Sequence, residues 1–242
     1  MPTRFLHSGG AGDVIYSLPF MRHHGGGSLY IKPYNEFNKS CNVYETLKPL
    51  LERQSYIDSV HPYDPARKFF NMDPSVLIDV NLDAFRNAIE PDRTVLPISY
   101  FNAFGIPLPT DWARPWLKVD PVFPSGNTSP FAIVSLTPRY RNPLTDWRGT
   151  IAMALVQHKR LFFLGLPQEY WHFFKMINNS VLYLETADFL QAAGYIAAAS
   201  AVYCNQNPCL TIAQAMRKKC FLESAPRSTS CILGLEEVIP SG

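Results

Sequence analysis

Residues 4–22 read Arg4-Phe5-Leu6-His7-Ser8-Gly9-Gly10-Ala11-Gly12-Asp13-Val14-Ile15-Tyr16-Ser17-Leu18-Pro19-Phe20-Met21-Arg22. A short apolar run, a glycine loop and then a largely aliphatic and aromatic stretch predict a strand, a tight turn and the start of a helix. Asp13 falls where it either caps that helix or lies in its first turn, and there the helix dipole favours a carboxylate. Pro19 is expected to limit the helix's regularity. Further along, the Gly25-Gly26-Gly27 turn precedes an expected strand at 28–32, a helix at 43–53 and a buried strand at 75–80 that ends around Asp79. Residues 91–116, rich in proline and aromatics, give only a short helix at 99–104.

The stretch from Asp120 to Pro130 collects turn formers without periodicity, which predicts a linker at 121–130 between domains at 1–120 and 131–242. Beyond it the alternation is regular. Strands are expected at 131–136, 160–165, 180–184 and 201–205, and helices at 150–158, 167–177, 187–200 and 208–218. Thr186 reads as an N-cap with Asp188 in the first turn, and Pro208 suits a first helical position. Strands separated by helices imply right-handed crossovers and parallel sheets. The expected fold class is therefore α/β, two Rossmann-like domains facing across a cleft.

Composition bounds the function. The chain has 242 residues, 47% of them hydrophobic and 17% charged, so it is expected to fold throughout. Lys plus Arg exceed Asp plus Glu by 22 to 20, too little to predict a nucleic-acid or membrane partner. The five cysteines (Cys41, Cys204, Cys209, Cys220, Cys231) are odd in number and widely spaced, which suggests neither a disulfide framework nor a zinc site. Reduced thiols, no room for a signal peptide before the glycine loop and no run of about 20 apolar residues make the cytoplasm the expected location.

In parallel sheets ligands bind beyond the carboxyl ends of the strands, so the loops at 8–12, 137–147, 166–169, 185–186 and 205–208 are the places to search. The first presents N–H groups at Gly10 and Gly12 with little steric cover, suited to a phosphate or a polar sugar, or serves as a tight turn only. Ile15 stands where a dinucleotide fingerprint needs a third glycine, which disfavours a nicotinamide or flavin cofactor. In the second loop Arg139, Arg141 and Arg148 can clamp a diphosphate bidentately, the alternative being solvated surface arginines. The third and fourth loops bring Glu169 and Thr186 to the same end of the sheet. The fifth, Asn205-Gln206-Asn207-Pro208, ends a strand in three amides and enters a helix whose first turn offers N–H groups to an anion, with Thr211 in that helix; it can also be an amide-rich turn that merely caps the helix.

The run Gly12-Asp13-Val14-Ile15-Tyr16-Ser17-Leu18-Pro19 resembles the opening of the heptosyltransferases, the family 9 glycosyltransferases of GT-B fold. There the pattern is Gly-Asp, aliphatics, Ser or Thr, Leu or a similar residue, and Pro. A second family pattern, Thr before an Ala/Leu-rich helix, a short strand, Gly-Asn-Asp-Ser/Thr-Gly-Pro-Met-His and an Ala-rich helix, is matched in register by Thr186, the helix at 187–200, Asn205, Ala213 and Ala215. Gln206 stands where the family has Asp, Pro208 where it has Gly, and Thr211 where it has His, so donor binding through those charged or imidazole groups does not carry over. The resemblance implies Asp13 as general base, a nucleotide-sugar donor as co-substrate, a glycan or other hydroxyl acceptor and no metal. The lack of an Asp-x-Asp pair agrees with the last point. Two alternatives accompany it: a glycosyltransferase acting on a hydroxylated nucleic-acid base, and a noncatalytic nucleotide- or partner-binding protein that kept the fold.

Overall fold

A computed structural model of the chain describes residues 2–34, 42–63, 76–88, 94–125, 129–177, 181–225 and 230–239. Ser75 and Ser180, each opening an expected strand, lie outside the described residues, as do Cys41 and residues 126–128 of the expected linker. The chain divides into two compact units, residues 1–118 with 188–190, and residues 119–187 with 191–242.

The first unit carries strands β1 (Thr3–His7), β2 (Gly27–Ile31), β3 (Ile57–Pro62) and β4 (Val80–Asn81), with helices α1 (Ala11–His23), α2 (Val43–Leu51), α3 (Phe85–Ala88) and α4 (Leu96–Ala103). Its strands are parallel in the order β3-β2-β1-β4. α1 is the central helix, buried continuously from Val14 to Met21. The helix continues through Pro19, and the irregularity expected there is confined to one missing hydrogen bond. Proline has no N–H and so deprives the Ile15 carbonyl of its helical partner; the indole Nε1 of Trp116 donates to that carbonyl at 3.1 Å and repairs the ladder. The turn from α1 into β2 needs glycine: Gly26 has φ +85°, and a Cβ there would lie 2.0 Å from the Tyr56 carbonyl oxygen.

Two expectations for this unit are corrected. Of the strand expected at 75–80, the described residues 76–79 form no strand and β4 is only Val80–Asn81; at its start the Asp79 carboxylate accepts the Arg4 N–H at 2.8 Å, and the Asp79 N–H donates to the Arg4 carbonyl. β3 was not anticipated. It is an edge strand, which explains how Asp58, His61 and a terminal Pro62 are tolerated.

The second unit carries β5 (Ala132–Ser135), α5 (Trp147–His158), β6 (Leu161–Leu164), α6 (Pro167–Ile177), β7 (Leu182–Leu184), α7 (Phe189–Ala198), β8 (Ala201–Cys204), α8 (Pro208–Ala215), β9 (Cys220–Leu222) and β10 (Glu237–Val238). Strand order is β10-β9-β8-β5-β6-β7, all parallel. Counted within the unit that is the doubly wound order, with the direction of winding reversing between β5 and β8. β5, β6 and β8 are buried at every residue, as strands covered on both faces must be. On one face Ala132, Val134, Phe163 and Tyr203 meet Trp147 and Ile151 of α5 and Phe173 of α6. α7 opens at Phe189, three residues past Thr186, so Thr186 is not its N-cap; the Ala187 N–H is taken by Gln191 Oε1 at 2.8 Å. No described helix is long and apolar enough to cross a membrane.

Candidate functional sites at the two switch points

In each unit the polar side chains gather where the winding of the sheet reverses, the position at which α/β sheets bind ligands. In the first unit this is the carboxyl end of β1 beside β4. Asp13 lies in the first turn of α1, whose N-cap Gly10 has no side chain to offer, and its carboxylate accepts the Gly10 N–H at 3.1 Å. From β4 the chain enters a 3-10 turn at Leu82–Ala84. Its Asp83 accepts the Ser8 N–H at 3.0 Å and the Arg86 guanidinium at 2.9 Å. Gly10 and Gly12 thus lie at the start of α1 as expected, whereas Asp83 and Arg86, which complete this end of the sheet, were missed in the sequence.

Beneath the loop His7 is fully buried. Burial pushes its imidazole down from the ordinary 6.5 to about 4, with the Asp83 carboxylate opposing the shift and Arg86 adding to it. The native state therefore binds fewer protons than the unfolded chain between those values, and stability rises with pH across that window. The contribution is complete above pH 6.5 and is lost as pH falls towards 4, by on the order of 3 kcal/mol. Urea unfolding of the wild type and His7→Asn at pH 7 and pH 4.5 checks this: the wild type should lose more stability between the two, and parallel losses would refute it.

In the second unit the switch point lies between β5 and β8. Asn205, fully buried, ties the two strand ends together: its Oδ1 accepts the Thr137 N–H at 3.0 Å, and its Nδ2 donates to the carbonyls of Thr137 (2.7 Å) and Tyr140 (3.0 Å). Asn207 donates to the Ser135 carbonyl at 2.9 Å. Glu169, in the first turn of α6, accepts the Leu166 N–H at 2.8 Å and a hydrogen bond from the Thr137 side chain; burial nevertheless raises its carboxyl above the ordinary range. Thr137, Glu169, Asn205 and Asn207 therefore form one polar cluster at the carboxyl end of the sheet.

Other expected site residues are arranged differently. Asn207 is the N-cap of α8, and its Oδ1 accepts from both Cys209 N (2.9 Å) and Leu210 N (3.2 Å), while Pro208 has no N–H to offer. The first-turn N–H groups expected to hold a diphosphate are satisfied within the protein. Gln206 and Thr211 are buried. Nor do the three arginines converge. Arg139 is exposed and lies over the Tyr140 ring, 5.0 Å from its centroid. Arg141 turns inward to Glu223, a carboxylate with no solvent exposure, and Arg148 donates to the Met176 carbonyl at 2.9 Å. Among the described residues no group of three His, Cys, Asp or Glu side chains is placed to hold a metal ion.

No family model matches the sequence, and neither does any curated protein. Solved structures do match. Heptosyltransferase WaaC of E. coli, in complex with ADP-2-deoxy-2-fluoro heptose, superposes with a TM-score of 0.64 at 13% identity, covering 98% of this chain and 92% of its own. A family 9 glycosyltransferase from Veillonella parvula gives 0.64 at 13% identity, with 98% and 85% covered. ADP-heptose LPS heptosyltransferase II of E. coli gives 0.59 at 11%, with 99% and 90% covered. Over nearly its whole length, then, the chain has the heptosyltransferase-like GT-B fold of family 9.

Proposed function

We propose that this chain transfers a glycosyl group from a nucleoside-diphosphate sugar to an acceptor hydroxyl, with Asp13 as general base and without a metal ion. The observation that carries this reading is Asp13 itself, a carboxylate held at the helix start on the switch point of the first unit. As the acceptor oxygen attacks the anomeric carbon, its proton passes to Asp13; the bond from that carbon to the phosphate oxygen breaks, and the nucleoside diphosphate leaves. The cluster of Thr137, Glu169, Asn205 and Asn207 is assigned to the nucleotide, and exposed Arg139 to the leaving charge. The expected setting is the cytoplasm.

A thermal-shift panel of ADP-, UDP-, GDP-, CMP- and dTDP-sugars tests the donor, with ADP-heptose as the first arm because WaaC is bound to an ADP-heptose analogue. A ligand at 100 times its Kd raises stability by about 2.7 kcal/mol, a shift of several degrees. One nucleotide is expected to stand out, and a flat panel would sink the reading. Acceptors, from glycans to duplex DNA carrying hydroxymethyl bases, are then screened with that donor.

The capping of α8 by Asn207 favours a second reading, a noncatalytic binding protein, because helix N–H groups are not open to a diphosphate. Multiple-turnover release of nucleoside diphosphate excludes it.

A further inference from the structure

The buried His7 and Tyr100 are not used in the reaction just described, yet their hydrogen bonds lead to the loop and helix start that carry Asp13. The Gly9 N–H donates to His7 Nδ1 at 2.9 Å, which leaves the ring proton on Nε2. Nε2 lies 2.8 Å from the Tyr100 hydroxyl, and that hydroxyl donates to the Asp13 carbonyl at 2.9 Å. Tyr100 has one proton to give, so the order is fixed: His7 Nε2–H to Tyr100, and Tyr100 O–H to Asp13.

Steric facts reinforce the chain of bonds. A Cβ on Gly9 would stand 2.6 Å from His7 Cε1 and 2.7 Å from Asp13 Oδ2, so the imidazole and the carboxylate close on this residue together. Tyr100 is itself fully buried, with its ring stacked on Phe85 at 4.5 Å between centroids. The charged groups around the pair are Asp83, 3.7 Å from His7 Nδ1, together with Arg86 and Asp13.

We propose that His7 and Tyr100 are positioning residues for Asp13, holding the 8–12 loop and the first turn of α1 so that the carboxylate keeps a single orientation. The inference rests on the assignment of Asp13 as general base. Neither residue touches the reacting atoms; both act through the loop.

Tyr100→Phe keeps the ring stacking and removes only the hydroxyl, while His7→Asn keeps an acceptor near the Nδ1 position for the Gly9 N–H and loses the link to Tyr100. In the full chain, backbone amide exchange at Gly9 and Gly10 should quicken about ten-fold in Tyr100→Phe, and exchange at Gly9 should stay closer to wild type in His7→Asn. With ADP-heptose as probe, kcat for release of ADP should fall about ten-fold in Tyr100→Phe, with KM within about two-fold. A purely structural role would leave kcat of the folded fraction unchanged, so an unaltered kcat, or a loss confined to KM, overturns the proposal. If ADP-heptose is not turned over at all, the general-base reading fails by itself and the exchange rates still decide the tether: unchanged rates at Gly9 and Gly10 in Tyr100→Phe refute it.

Discussion

Asp13→Asn is expected to reduce glycosyl transfer by about three orders of magnitude while leaving the fold and nucleotide affinity in place. The amide is isosteric, and its Oδ1 can still accept the Gly10 N–H that the carboxylate accepts at 3.1 Å. What disappears is the ability to take a proton, which in a general base contributes about 10² to 10⁴ in rate. Losing a negative charge from the first turn of α1 costs only about 0.3–1 kcal/mol of helix-dipole interaction. The neighbouring carboxylate, Asp83, is a poorer candidate for the same task. Burial alone would raise its carboxyl, but hydrogen bonds from Ser8 and the charges of His7 and Arg86 outweigh it and hold the group below the ordinary carboxylate range. Its oxygen Oδ1 is already committed to Ser8 N–H and Arg86. Turnover by Asp13→Asn at the wild-type rate, with Asp83→Asn inactive, would transfer the role to Asp83. Single-turnover release of the diphosphate, beside calorimetric titration with ADP, separates loss of chemistry from loss of binding.

The contrast between Asp13 and its supports shows what the sequence could disclose. Asp13 stands out because a strand, a glycine loop and a helix start surround it locally. β5, β6 and β8 were equally legible as short continuous apolar runs, and α6 was expected at the residues it occupies, 167–177. By comparison β3, β4, β9 and β10 are short or lie at an edge of a sheet, where pairing is decided by the neighbour and leaves little hydrophobic pattern. His7, Tyr100 and Asp83 were missed for a different reason. Their link to one another and to the glycine loop runs largely through contacts over 75 to 93 positions, and Tyr100 sits in a region rich in aromatics where nothing distinguishes it. A histidine as the last residue before a glycine loop was the one available signal. That Pro19 costs α1 no unsatisfied carbonyl could not be read locally, because its compensation, the Trp116 indole, is remote in sequence. The amides at 205–207 were recognised as a site, but not that Asn207 would spend its oxygen on the helix it precedes.

Arg141→Ala is expected to destabilise the protein by about 3–5 kcal/mol, far more than its neighbour Arg139→Ala, which should change stability by no more than about 0.5 kcal/mol. Glu223 has no exposure. Its carboxylate receives the Asn142 N–H at 2.9 Å and the Arg141 Nε at 3.2 Å to Oε1, and Nε also lies 3.1 Å from Oε2. Among the described residues Oε2 has no hydrogen-bond partner, only this ion-pair contact. Removing the guanidinium leaves a buried charge with one backbone donor among the described residues, whereas removing the charge as well relieves the penalty. The double variant Arg141→Ala/Glu223→Gln keeps the acceptor for Asn142 and should recover most of the loss, a coupling of about 2 kcal/mol or more in a double-mutant cycle. Were Arg141 a diphosphate clamp instead, its removal would weaken ADP binding and leave the urea midpoint where it was. The two outcomes are opposite in both measurements. Equal stability of Arg141→Ala and wild type would therefore return Arg141 to the ligand and leave Glu223 without an adequate countercharge; the predicted loss, with ADP affinity unchanged, takes Arg141 out of anion recognition.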